Sequence, residues 1–77
     1  MLNVAEKINE MMKITLAMED IKLDGNIILD EIGIDSIEKV ELLVKLQKLF
    51  SIHLKFDEFR ALNTLGEVYA YVERRLQ

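Results

Sequence analysis

Glu31-Ile32-Gly33-Ile34-Asp35-Ser36-Ile37 runs without a break into Glu38-Lys39-Val40-Glu41-Leu42-Leu43-Val44-Lys45-Leu46-Gln47-Lys48-Leu49-Phe50. In the second block Leu42, Leu46 and Phe50, flanked by Leu43 and Leu49, recur at the spacing of a helix that buries one face. Ile37, Val40 and Val44 form another apolar stripe, displaced around the same helix. Two stripes exceed what one buried face requires, so the helix is either deeply embedded or offers one stripe to a partner. It is expected to span about Ser36 to Phe50. Asp35 is of a type preferred at an N-cap, and Glu38 three positions later completes the pattern of a capping box. The Ser36 hydroxyl therefore falls at an exposed helix N-terminus.

Upstream, Val4, Ala5, Ile8, Met11, Met12, Thr15 and Leu16 recur at helical intervals, with Glu6, Lys7, Asn9, Glu10 and Lys13 on the wet side. A first helix is expected over Leu2 to Met18, ending there because Glu19-Asp20 would oppose the negative end of the helix dipole. Between it and Ser36 lies a long segment with a turn signal at Asp24-Gly25-Asn26. Ile27-Ile28-Leu29 has strand character, but no second strand candidate exists to pair with it. The segment reads as an ordered loop whose Ile21, Leu23, Ile27 or Ile28, Leu29 and Ile32 reach into the core, and loops of that length tend to be functional. Downstream, Asp57 to Leu62 supports one or two helical turns. Thr64-Leu65-Gly66-Glu67 is a further capping box, opening a last helix through about Arg75. There Leu65, Val68, Tyr69 or Tyr71, Val72 and Leu76 supply the buried face, and Arg74 and Arg75 complement the dipole.

Composition agrees. Seventy-seven residues with no cysteine and no proline suit one all-α domain spanning residues 1–77, stabilised by helix packing without disulfides or a thiolate metal site. A formal charge of −4 opposes nucleic-acid binding and permits docking on basic partner surfaces. No apolar run reaches the length of a membrane span, and no secretory signal is visible, which reads as a cytoplasmic protein without membrane insertion.

The chain resembles the acyl and peptidyl carrier proteins, whose attachment signature is an Asp-Ser-Leu/Ile tripeptide after a glycine, here Gly33 and Asp35-Ser36-Ile37. The resemblance covers essentially the whole sequence. It continues from Asn26, Leu29, Glu31 and Ile32 through Val40, Glu41, Leu42, Leu46 and Phe50 to Leu54, Thr64, Leu65 and Tyr71 without a gap. It implies a four-helix carrier-protein bundle: three main helices, a short third helix, and a long loop between the first two. It also implies a discrete, monomeric carrier with no catalytic activity of its own. A phosphopantetheinyl transferase would move 4'-phosphopantetheine from coenzyme A onto Ser36, and the arm's thiol would hold acyl or aminoacyl groups as thioesters. Acyl-loading and synthase or transferase enzymes, in fatty-acid, polyketide or other specialised biosynthesis, would meet the protein at Asp35, Ile37, Glu38, Val40, Glu41 and Val44. Gly33 would let the loop approach the helix start closely.

Two departures stand out. In Ser36 to Phe50, Lys39, Lys45 and Lys48 outnumber Glu38 and Glu41, whereas this helix is characteristically acidic in fatty-acid carriers. Lys55 stands where a proline is usual. Both suggest a dedicated carrier for a specialised pathway.

Plainer readings compete at each point. Ser36 could be a capping serine, and the Ile37-Val40-Val44 stripe could be core. A small helical adaptor using that stripe, with no prosthetic group, would be indifferent to the Ser36 hydroxyl. His53 is the sole histidine, a whole helix away in sequence from Ser36, and no oxyanion hole for a Ser-His-Asp hydrolase is visible. Asp20, Asp24, Asp30 and Glu31 lack calcium-loop spacing and read as solvated acids. Met11 and Met12 read as core filler.

Overall fold

Asn3 opens the first helix, α1 (Val4–Leu16), by accepting a hydrogen bond from the Glu6 amide at 2.8 Å. The computed structural model describes residues 3–17 and 22–77. The expectations placed on Leu2, Met18, Glu19, Asp20 and Ile21 lie outside them. Ile8 and Met12 are buried, with Val4, Met11 and Leu16 packed against the same core. The described helix ends at Leu16 because Ala17 turns left-handed (φ 54°) and its N–H bonds back to Lys13 and Ile14. Two assignments on α1 are corrected. Thr15, expected on the buried face, is exposed, and its hydroxyl accepts from Lys45 Nζ at 3.3 Å. Asn9, expected in water, is half-buried: its amide donates to Leu23 O at 3.3 Å and its oxygen accepts from the Tyr69 hydroxyl. A polar residue sits there because two partners from elsewhere in the chain satisfy it.

From Lys22 to Asp35 the chain is an ordered connection rather than an unstructured loop. Leu29–Ile32 form a 3-10 turn, and Leu23, Leu29 and Ile34 are buried. Ile28, one of two candidates for burial, is exposed, while Ile27 packs against the core. The strand-like character of 27–29 finds a one-residue outlet, an isolated antiparallel bridge between Ile28 and Thr64. Around it Leu29 N–H donates to Asn63 O at 2.9 Å, Leu65 N–H to Ile27 O at 2.9 Å and Gly66 N–H to Gly25 O at 3.1 Å. A Cβ on Gly66 would stand 2.9 Å from Gly25 O, so the absence of a side chain permits this approach.

The second helix, α2 (Ser36–Phe50), buries Leu42, Leu43 and Leu46, with Phe50 partly covered. Leu49, expected to flank that stripe, does lie on the same side of the helix as Leu42 but is 41% exposed, because it borders an open cleft against Met11 and Ile14 of α1. The short helix α3 (Phe56–Phe59) starts one residue before the expected Asp57 and inserts Phe59 fully into the core. The last helix, α4 (Leu65–Leu76), carries the capping box foreseen at Thr64 and Glu67 and buries Leu65, Val68, Tyr71 and Val72. Leu76, expected in that face, is exposed because it falls in the last turn, where little of the bundle remains to cover it.

Tyr71 links α3 to α4. Its hydroxyl donates to Glu58 Oε1 at 2.7 Å and accepts from the Lys55 N–H at 3.1 Å. Burial, and then the bond to Glu58, raise the Tyr71 pKa above the ordinary phenol value. The bond from Lys55 also gives physical meaning to the missing proline, since proline has no N–H to donate. The described elements are thus the helices, the 3-10 turn and their connections, an all-α fold of three main helices and one short one.

Candidate functional site

The start of α2 is assembled from the inside outward. Ile34 is buried and its N–H bonds to Leu29 O at 2.9 Å, pinning the backbone just before the helix. Gly33 ends the 3-10 turn with φ at 87°. Nothing lies within 4 Å of where its Cβ would be, so the left-handed backbone explains the glycine, and the expected close approach does not.

Asp35 is the N-cap. A single carboxylate oxygen, Oδ1, accepts from Ile37 N–H at 3.0 Å and from Glu38 N–H at 3.0 Å. The expected capping box is only half formed: Glu38 does not return a bond to the Asp35 N–H. Ser36 is the first helical residue, exposed, and takes no part in the cap. Its hydroxyl and amide, and the Asp35 amide, have no hydrogen-bond partner among the described residues. The reading of Ser36 as a capping serine therefore fails, because the neighbouring aspartate does that work.

Beside Ser36 lies a cleft of about 270 Å³ between the 3-10 turn, the first turn of α2 and the connection from α3 to α4. Leu29 and Ile34 give it an apolar floor with Ile28, and Asp30, Asp35, Ser36, Lys39 and Asn63 form the polar rim. Lys39 crosses to the end of α3, donating from Nζ to Arg60 O at 3.1 Å.

Along the outer face of α2, Ile37 is 72% exposed, Val40 44% and Val44 41%. Glu41 is exposed and Glu38 half-buried on the same helix. The stripe whose role the sequence left open is thus uncovered in the isolated chain. The three lysines of α2 do not act as one group: Lys39 reaches Arg60, Lys45 reaches Thr15 on α1, and Lys48 lies in the last turn.

Other candidates are not brought to this site. His53 sits in the connection after α2, where its carbonyl accepts from Arg75 at 3.5 Å. Among the described residues no group of three or more His, Asp or Glu could hold a metal ion, and Asp20 lies outside them. Sequence reading overlooked Lys39 and Asn63 as members of the cleft. Lys39 was accessible as the i+3 neighbour of Ser36; Asn63 carries no local signal, because only the tertiary fold brings it there.

Comparison with known proteins gives concordant results. Residues 3–72 match the family described as "Phosphopantetheine attachment site". The chain is 31% identical over 64 residues to an acyl carrier protein of Amoebophilus asiaticus, covering 83% of this chain and 79% of that one. It is 33% identical over 76 residues to an acyl carrier protein of Exiguobacterium sibiricum, covering 99% and 92%. With an acyl carrier protein of Chlamydia trachomatis it shares 32% identity over 57 residues, 74% of this chain and 73% of the other. No solved structure matches. Among the described residues no helix is long and apolar enough to cross a membrane.

Proposed function

This chain belongs to the phosphopantetheine-attachment family of acyl carrier proteins, and we propose that Ser36 is the residue that bears its arm. The protein is a discrete carrier with 4'-phosphopantetheine as its cofactor. The observation that carries the assignment to Ser36 is its position immediately after the cap, exposed and with its hydroxyl unbonded among the described residues.

The residues present suit such a group. Ser36 supplies the hydroxyl needed for a phosphodiester, held outward because Asp35 satisfies the Ile37 and Glu38 amides. The Asp35 and Ser36 amides are unpaired within the described chain, and the positive end of a 15-residue helix favours a phosphate beside them. When bound, the arm supplies a thiol that holds the cargo as a thioester. The protein's own part is to fix the attachment point and offer it to enzymes; the bond chemistry belongs to the cofactor and the partners, with no catalytic activity in the carrier. An adaptor lacking a prosthetic group is set aside by membership of the family.

Carriers of this kind work with synthase and transferase enzymes. Here the finer partners are a phosphopantetheinyl transferase and acyl-loading enzymes, with no nucleic acid among them. The docking face consists of Ile37, Val40 and Val44, rimmed by Asp35, Glu38 and Glu41. The exposure of those three aliphatic side chains supports this reading, since an apolar centre with a charged rim suits a transient contact. Residues 1–77 act as one monomeric domain in the cytoplasm. Lys45 reaches Thr15 on α1 and Lys39 reaches Arg60 at the end of α3, so both are directed toward neighbouring elements while keeping their charge.

The test is intact mass after incubation with coenzyme A and a promiscuous phosphopantetheinyl transferase. The wild-type protein should gain one phosphopantetheine, and peptide mapping should locate it on Ser36. An adduct on Thr15, Ser51 or Thr64 would defeat the assignment.

A further inference from the structure

We propose that Lys39 is the contact for the arm's phosphate, clamping the proximal end of the arm between α2 and the end of α3. The inference rests on attachment at Ser36. A group esterified there has its phosphorus one bond from Oγ, so its position is set by Ser36 before any recognition occurs. Lys39 follows by three residues on the helix, and positions at that spacing are surface neighbours, about 5–6 Å apart at Cβ. Both line the same cleft.

Lys39 is already directed. Its ammonium donates to Arg60 O at 3.1 Å, which ties the side chain to the end of α3. An ammonium has three protons, so the bond to Arg60 leaves donors for a phosphate oxygen. The ammonium also lies close enough to the start of α4 for its charge to favour the ionised form of Glu67. The Glu67 carboxylate in turn accepts from Asn63 and Thr64, at 3.0 Å each.

Charge supplies the reason for a cation at this point. The rim of the cleft carries Asp30 and Asp35, and Lys39 is the cationic side chain lining it. A phosphodiester on Ser36 adds a negative charge beside those two carboxylates, and like charges at such range repel. Lys39 offsets that repulsion and provides a charge-assisted hydrogen bond of the stronger class. Lys45 and Lys48 cannot substitute, because neither lines the cleft: the first reaches Thr15 on α1, and the second is in the last turn of α2.

The test uses apo and holo forms of the full chain, with peptide mapping to establish the site of the arm. The wild-type protein is compared with Lys39→Met, which keeps an unbranched apolar side chain, Lys39→Arg, which keeps the charge, and Lys48→Met, which removes a cation from the same helix. Nitrogen NMR of the lysine ammonium groups reads Lys39 directly, and phosphorus NMR reads the mobility of the arm. In the wild type the Lys39 ammonium signal should shift, and its protons exchange more slowly, in the holo than in the apo form. A lysine serving only to hold Arg60 would show neither change. The phosphorus line should sharpen in Lys39→Met, remain broad in Lys39→Arg and be unaffected in Lys48→Met. An arm on Ser36 with an unchanged Lys39 signal, or Lys39→Met and Lys48→Met lines alike, overturns this inference and leaves the Ser36 assignment intact. An arm mapped elsewhere overturns both. Should Lys39→Met fail to fold by circular dichroism, the apo–holo comparison of the wild-type ammonium decides.

Discussion

The starts of α2 and α4 are built from nearly the same residue pattern and end in opposite states. At α4 every opening amide is occupied. Thr64 N–H donates to Glu67 Oε1, Leu65 N–H to Ile27 O, Gly66 N–H to Gly25 O, and Glu67 N–H to the Thr64 hydroxyl. The Thr64 hydroxyl is consumed by the cap, and the loop from Gly25 to Leu29 is sewn over it. At α2 the cap is a carboxylate one residue earlier, Glu38 does not close the box, and the Asp35 and Ser36 amides have no partner among the described residues. The faces of the helices follow suit. Leu65, Val68, Tyr69, Tyr71 and Val72 of α4 are buried or partly buried, whereas α2 leaves Ile37, Val40 and Val44 outward. The Thr64 hydroxyl, at the cap position, is engaged in the fold; the Ser36 hydroxyl, one residue after an aspartate cap, has no partner among the described residues.

The sharpest way to break this contrast is to delete each hydroxyl. Ser36→Ala should abolish the mass gain with coenzyme A and transferase, while Thr64→Ala, if folded, should accept the arm as the wild type does. Modification that survives Ser36→Ala would remove the distinction altogether.

Within α2 the contrast becomes one between faces. Leu46 is fully buried and Val44 is 41% exposed. Leu46→Ala should cost about 2–5 kcal/mol, through lost burial and the cavity left behind. Small domains often have little more than about 5 kcal/mol in total, so this variant should be largely unfolded or molten near room temperature. Val44→Ala should be clearly milder by urea or thermal unfolding followed by circular dichroism. The reverse order would mean that the buried and presented stripes of α2 are exchanged.

The stitching of α4 is tested by Gly66→Ala. The added methyl would meet Gly25 O at 2.9 Å, and forcing such a contact typically costs about 1–3 kcal/mol. An unchanged unfolding midpoint would show that the loop does not press on α4 as described. Thr64→Ala should cost less, about 0.5–2 kcal/mol for the lost cap, and the same measurement ranks the two.

The smallest effect concerns acid. Hydrogen bonds from the Asn63 and Thr64 amides hold the Glu67 carboxyl below the usual carboxylate range, with a smaller contribution from Lys39. A folded-state pKa that is depressed contributes stability above the unfolded value and loses it as pH falls through the folded one. Glu67→Gln should therefore flatten the acid side of the curve of melting temperature against pH, with little change at neutral pH beyond the lost charge. Because Glu67 is fully exposed, solvent screening keeps the change small. A steeper acid loss in the variant than in the wild type would contradict the assignment of these bonds.

What the residues determined by themselves is local. The N-cap at Asp35, the box at Thr64 and Glu67, and the extent of α2 were legible because they depend on hydrogen bonds spanning two to four residues and on a helical period. The attachment signature was legible for the same reason, being contiguous. Whether the box at Asp35 and Glu38 would close was not, since both Glu38 and Glu67 stand at the same spacing from their caps. Tertiary structure decided that α4 would be sealed, because its amides find carbonyls in a loop some 40 residues earlier in the chain. It likewise decided the burial of Ile34, the pairing of Asn9 with Tyr69, the exposure of Thr15 and the reach of Lys39 to Arg60. A helical period reports which residues share a face; which face receives a covering depends on contacts distant in sequence, and those are set only when the chain closes on itself.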